Sequence, residues 1–259
     1  MNILILGAGW IGQQVALNYL AKGYQVYVSC TSKQKKESLE ALGLKAYVLN
    51  FDERSQPQEQ GLVHSFDYVL NSIPSSSRFS VSEIRVRFNH IRAFLQSITF
   101  KKQIYLSSVG IYPDQDMRFD EQSCCPMNER LALAEEFALT GRTHIYRLAG
   151  LFGRDRIFAK YFQNRVCTTG DQLANFVHMD DVVALIEKGF EQDLRHTVYN
   201  VVAPEHPTKK QVVIASAEKY NFALPSAFMP ENSFQKYVDS SRIIAELNYS
   251  FKFPSPLDF

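Results

Sequence analysis

Short apolar runs and helical spacings alternate along the first two-thirds of the chain. The apolar runs fall at residues 2–6, 25–29, 45–49, 68–71, 103–107, 144–148 and 198–202. Between them lie helical patterns at 11–22, 33–42, 81–97 and 128–139. A short unbroken apolar run reads as a strand buried on both faces, and a three-to-four spacing reads as an amphipathic helix. Their alternation predicts an α/β fold with a doubly wound parallel sheet and right-handed crossovers.

After Gly150 the pattern loosens. A helix is expected near residues 180–190, opening on an Asp180 cap, and another after Thr208, where Thr208 and Gln211 have the spacing of a capping box. Prolines crowd residues 204–230 and punctuate the tail at Pro254 and Pro256. The expected organisation is a core over residues 1–155, rejoined by the strand near 198–202. A small C-terminal lobe over 156–259 packs on the core and interleaves with it.

Composition narrows the function classes. The 28 basic and 27 acidic side chains leave a net charge of +1, which argues against nucleic acid or an anionic membrane as the main partner. No apolar run has the length of a membrane span, and strand-like residues begin at Asn2, which leaves no room for a signal peptide. Cys30, Cys124, Cys125 and Cys167 form no Cys-x-x-Cys pair, so neither a zinc site nor a disulfide framework is expected. The reading is of a reduced, cytoplasmic protein without a metal.

The first strand runs into Gly7, Gly9 and Gly12, and a helix follows. In that setting Gly7 permits a tight turn, Gly9 lets backbone approach a pyrophosphate, and Gly12 lets helix pack on strand. Gly7, Gly9, Trp10, Ile11 and Gly12 are therefore expected to hold a dinucleotide, with the helix N-terminus facing its phosphates. The second strand ends in VYVSCTSKQKK, with Cys30 near the position where NAD-preferring sites carry a carboxylate. Thr31, Ser32 and Lys33 suit a 2′-phosphate instead, with Lys35 and Lys36 adding positive potential. NADP is the expected cofactor, with NAD the alternative.

Further segments carry a resemblance. YLSSVGIY at Tyr105–Tyr112, Asp120-Glu121, RLAGLFGRDR at Arg147–Arg156, NFVHMDD at Asn175–Asp181, VYNVVAPEHPT at Val198–Thr208 and the tail SSRIIAELNYSFKFPS follow the glycine loop in order. Together they resemble the extended or atypical short-chain dehydrogenase/reductases, the NAD-dependent epimerase/dehydratase family, over nearly the whole chain. The resemblance implies a Rossmann core with a small C-terminal substrate lobe, the substrate lying between them. It implies that Asn50 and Phe51 flank the adenine. Asn71, Ser72, Ile73 and Pro74 would line the ribose and pyrophosphate, and Ala149, Gly150 and Leu151 would border the nicotinamide. Ser107 and Ser108 would stand beside a substrate carbonyl.

In that family a Tyr-x-x-x-Lys pair on one helical face moves the proton, the lysine lowering the tyrosine pKa. Pro126 and Glu135 fix the register here and place Met127 at the tyrosine position and Leu131 at the lysine position. Neither side chain transfers a proton. Ser108 with Tyr112 is the replacement considered for catalysis, beside Ser107; Tyr112 also reads as a loop packing residue. Arg130 reads either as a cofactor contact or as a solvated helix charge. His178, Asp180 and Asp181 read as structural. Two functions remain open: an NAD(P)-dependent oxidoreductase- or epimerase-like enzyme acting on a small carbonyl or sugar-type substrate, and a non-catalytic NAD(P)-binding redox sensor or regulator. The expected partner is a small molecule, with a homodimer left open.

Overall fold

The computed structural model describes residues 1–52 and 61–259. The chain begins β1 (Asn2–Leu6), α1 (Trp10–Ala21), β2 (Gln25–Cys30), α2 (Lys33–Glu40) and β3 (Lys45–Val48). It continues β4 (Ser65–Asn71), α3 (Val81–Gln96), β5 (Thr99–Ser108), β6 (Met117–Phe119), α4 (Glu129–Ala138), β7 (Thr143–Leu148) and β8 (Gly150–Phe152). Then come β9 (Val166–Cys167), β10 (Phe176–His178), α5 (Met179–Glu191), β11 (Val198–Val201), α6 (Lys209–Tyr220), β12 (Ala227–Phe228), β13 (Lys236–Val238) and α7 (Ser241–Leu247).

Seven strands form one parallel sheet in the order β11-β7-β5-β4-β1-β2-β3. The chain reverses its direction of travel across the sheet between β1 and β4, and a crevice at the carboxyl ends of the strands opens at such a point. Ile3, Leu4, Ile5 and Leu6 are buried, as a strand covered on both faces requires. This is the doubly wound sheet that the sequence predicts. The observed β4 and β5 begin earlier than the apolar pattern, at Ser65 and Thr99. Their first residues are polar because they lie at the exposed edge, where Asp67 accepts hydrogen bonds from the Asn2 amide and Lys101.

The chain divides into two compact units. The first holds Met1–Ile111, Met127–Tyr146 and Ile186–Val198; the second holds Tyr112–Pro126, Arg147–Leu185 and Tyr199–Phe259. The first is built around Leu4, Phe88, Ile91, Tyr105, Leu133 and Phe137. Its helix α3 opens on a capping box, Ser80 with Glu83. The second contains an aromatic cluster of Phe152, Phe158, Phe176, Phe253 and Phe259 around Ala174 and Val212.

The capping box at Thr208 and Gln211 opens α6 as expected. The expected Asp180 cap does not form. Helix α5 begins one residue earlier, and the Asp180 amide donates to Nδ1 of His178.

Candidate functional site

The glycine loop sits at the end of β1, and each glycine has its own reason to lack a side chain. Gly7 adopts φ +87°, a left-handed conformation that costs other residues strain. Its amide donates to Ser29 Oγ at 2.8 Å, and its carbonyl accepts from Ser72 Oγ at 2.6 Å. A Cβ on Gly12 would stand 2.3 Å from the Gly7 carbonyl oxygen, so only glycine lets α1 approach β1 this closely. At Gly9 the reverse holds: apart from its chain neighbours, no described residue places a heavy atom within 4 Å of where a Cβ would stand. The protein's own packing leaves that side of the loop open.

Helix α1 has no side-chain cap and no acidic residue in its first turn. By contrast α2, α3, α4 and α6 are capped by Ser32, Ser80, Asn128 and Thr208. An uncapped helix start beside an open backbone face suits an anion, through both the helix-start amides and the helix dipole. Trp10 and Ile11 are the first two residues of this helix, Trp10 half-buried and Ile11 in the core. A dinucleotide diphosphate fits this cradle.

Beside the loop lies a cavity of about 380 Å³, large enough for an adenosine. Gly7, Thr31, Asn50, Phe51, Ile73 and Pro74, all expected at the cofactor, line it. Ser72 stands behind the loop, and its amide donates to the Leu6 carbonyl. Ser32 is occupied as the α2 cap, accepting from the Lys35 amide. Lys33 is exposed, whereas Lys35 reaches back to Gln13 of α1, Nζ to Oε1 at 2.7 Å.

The sequence reading missed the wall formed by Asp52, Phe79 and Arg87. Arg87 is only 6% exposed; its Nε and Nη2 donate to the two Asp52 carboxylate oxygens, and Nη1 donates to the Pro74 carbonyl. Its guanidinium lies 3.8 Å from the Phe79 ring centre. A signal was present, since Arg87 falls on the same helical face as Ile84, Phe88 and Ile91, where an apolar residue is expected.

At the end of β5, Ser107 is buried and donates to Glu135 Oε1 at 2.6 Å. Ser108 is half-buried, and its Oγ accepts from the Gly110 amide at 3.0 Å. On the α4 side, Met127 is 37% exposed and Leu131 is buried, so no proton donor stands at either position. Arg130 donates from Nε to the Ser75 carbonyl at 3.1 Å, which joins α4 to the loop after β4.

Tyr112, Gly150 and His178 are each accounted for by packing within the protein. Tyr112 is buried; its hydroxyl accepts from Arg147 Nη1 and donates to Asn200 Oδ1, both at 2.9 Å, and its ring stacks on Phe119. Burial pushes this phenol above its ordinary pKa, the opposite of what acid–base work near neutrality needs. As a proton donor Tyr112 is therefore replaced by Tyr112 as a core residue. At Gly150 a Cβ would stand 2.3 Å from Phe176, so packing within the second unit requires the glycine. His178 fills the space that Gly153 leaves and lies against Phe253 with centres 3.7 Å apart, and burial lowers its pKa. Its neighbour Asp181 accepts from the Tyr249 hydroxyl and the Lys252 and Phe253 amides, anchoring the tail. No three His, Cys, Asp or Glu side chains are placed to hold a metal among the described residues. None of the described helices is long and apolar enough to cross a membrane.

Fold and loop together give a doubly wound, Rossmann-like α/β architecture, and solved structures superpose on it over nearly the whole chain. Helicobacter pylori ADP-L-glycero-D-manno-heptose-6-epimerase superposes with a TM-score of 0.79 at 16% identity, over 99% of this chain and 93% of its own. The human epimerase family protein SDR39U1, solved with NADPH, superposes with a TM-score of 0.76 at 17% identity, over 100% of this chain and 97% of its own. In sequence, the chain is 26% identical to Protein YeeZ of Escherichia coli K12 over 99% of this chain and 97% of that one. No family model matches the chain.

Proposed function

We propose that the chain is an NADP-binding protein of oxidoreductase or epimerase type whose proton-transfer step is not supplied by a tyrosine. The observation that carries this reading is the open face at Gly9 beside the uncapped start of α1. The NADPH bound by the human structural neighbour agrees with it. Cys30 at the end of β2, with Lys35 held over α1, favours a 2′-phosphate over a free ribose diol.

In this reading the nicotinamide supplies a hydride when bound. The chain's own residues do the rest. The amides of the α1 start and the bare backbone at Gly9 hold the diphosphate. Thr31, Asn50, Phe51, Ile73 and Pro74 enclose the adenosine half, and the Asp52–Arg87 pair closes its wall. Ser107 is locked by Glu135, which leaves Ser108 as the hydroxyl free to orient a carbonyl oxygen. With Met127 and Leu131 in place, a proton must come from substrate or water, and a positioned acid or base is worth roughly 10²–10⁴-fold. Turnover should accordingly be slow.

The second reading, a non-catalytic sensor that changes its contacts with cofactor state, is favoured by the same Met127 and Leu131. Single-turnover oxidation of bound NADPH against a panel of small carbonyls and sugar nucleotides separates the two. Slow but substrate-dependent loss of NADPH absorbance supports the enzyme, and its rate should rise in Met127→Tyr/Leu131→Lys. Binding without any oxidation across the panel supports the sensor.

A further inference from the structure

We propose that Arg130 is a cofactor-binding residue that grips the sugar–phosphate of the nicotinamide half. This rests on the NADP reading above and assigns that half of the site its cation.

The order of strands along the sheet places it there. The adenosine-sized cavity lies at the ends of β2 and β3, and the glycine loop lies at the end of β1. A dinucleotide whose diphosphate crosses the loop must lay its other half over the ends of β4 and β5. Adjacent strands are about 4.8 Å apart, so two strands beyond the loop is roughly 10 Å, the reach of one nucleotide. The end of β4 leads into Ser72, which is bonded to the Gly7 carbonyl, and three residues later to Ser75, which is nearly buried. Arg130 meets the chain there.

Its Nε is spent on the Ser75 carbonyl, which fixes the guanidinium against the loop. Its two Nη atoms make no hydrogen bond or ion pair with any described residue, and no described carboxylate pairs with the charge. The side chain is only half-buried, so those donors are open to a ligand. Arg87, the other guanidinium in this unit that bonds the same loop, is fully engaged by Asp52 and Pro74. A planar fork of free N–H donors suits phosphate or vicinal ribose oxygens. Leu131, the next residue, faces the core instead.

Calorimetric titration of the purified full chain with NADPH and with 2′,5′-ADP, which carries only the adenosine half, tests this. Arg130→Met should weaken NADPH about 10-fold or more while changing 2′,5′-ADP by less than about twofold, since a charge-assisted bond to one half is lost. Arg130→Lys, which keeps the charge without the fork, should recover part of the loss. Should Arg130→Met fail to fold, Arg130→Lys carries the comparison, with a smaller loss confined to NADPH. Equal weakening of both ligands would make Arg130 a structural clamp on the loop and overturn the proposal. So would unchanged affinity for both. Wild-type protein that binds neither ligand would overturn the NADP reading itself.

Discussion

At the residue scale, the proposed preference for NADP rests on Lys35 and Lys33. Both were legible as a basic run, but only the structure shows that Lys35, on the turn facing α1, reaches Gln13 while Lys33 points to solvent. Replacing Lys35 with Glu should lower NADPH affinity about 10-fold or more and leave NADH within about threefold, with Lys33→Glu the smaller effect. Equal losses for both cofactors, measured by calorimetry, would remove the 2′-phosphate from this account. A second residue-scale outcome concerns His206, whose ring lies 4.1 Å from that of Tyr237 and whose Nδ1 is buried without a partner among the described residues. Burial pushes its pKa down to about 4, from an ordinary value near 6.5. The folded chain thus refuses a proton that the unfolded chain accepts. The associated stability is complete above about pH 6.5 and is lost as pH falls toward 4, by roughly 2–4 kcal/mol. Urea midpoints measured across that window should fall more steeply for wild type than for His206→Phe, and parallel curves would show that this ring does not titrate as described.

At the scale of elements, most of the sheet could be read from the chain because each central strand is a continuous apolar run. The predicted first strand coincides with β1, and β2, β3, β7 and β11 differ from their runs by a residue at an end. What escaped were the paired strands β8 with β10, β9 with β12 and β6 with β13, each of two or three residues, too short for any period to show. The glycine loop was legible because a strand–turn–helix leaves a fixed spacing. The Asp52–Arg87 wall was legible only in part, because Arg87 stands on an apolar helical face but nothing local names a partner 35 residues away. Nor could the pattern reveal how α5 ends. Lys102 of β5 reaches its C-terminus and donates to the carbonyls of Gly189, Phe190 and Gln192. A cation on orphan carbonyls at a negative helix end stabilises both by charge and by satisfied bonds. Lys102→Met should cost about 1–2 kcal/mol and lower the melting temperature by a few degrees, without altering cofactor affinity. An unchanged melting temperature would mean that water serves those carbonyls equally well.

At the scale of the whole molecule, the account stands on one claim: the loop at residues 7–12 is a dinucleotide cradle rather than a tight turn. Gly12 and Gly7 would be required by either, since close packing and a positive φ explain them without a ligand. Gly9 separates the two, because nothing described in the protein occupies the space beside it. A side chain there is tolerated by the fold but blocks backbone approach. The only tryptophan, Trp10, is the next residue and reports on the same place. The most direct measurement is therefore a titration of tryptophan fluorescence, with calorimetry in parallel, for wild type and Gly9→Val. The account predicts a saturable change and a binding heat with NADPH in wild type, and neither in a Gly9→Val protein that melts at nearly the wild-type temperature. Folded wild-type protein that gives no heat and no fluorescence change with NADPH or NADH at millimolar concentration, or a Gly9→Val variant that binds as well as wild type, would contradict it.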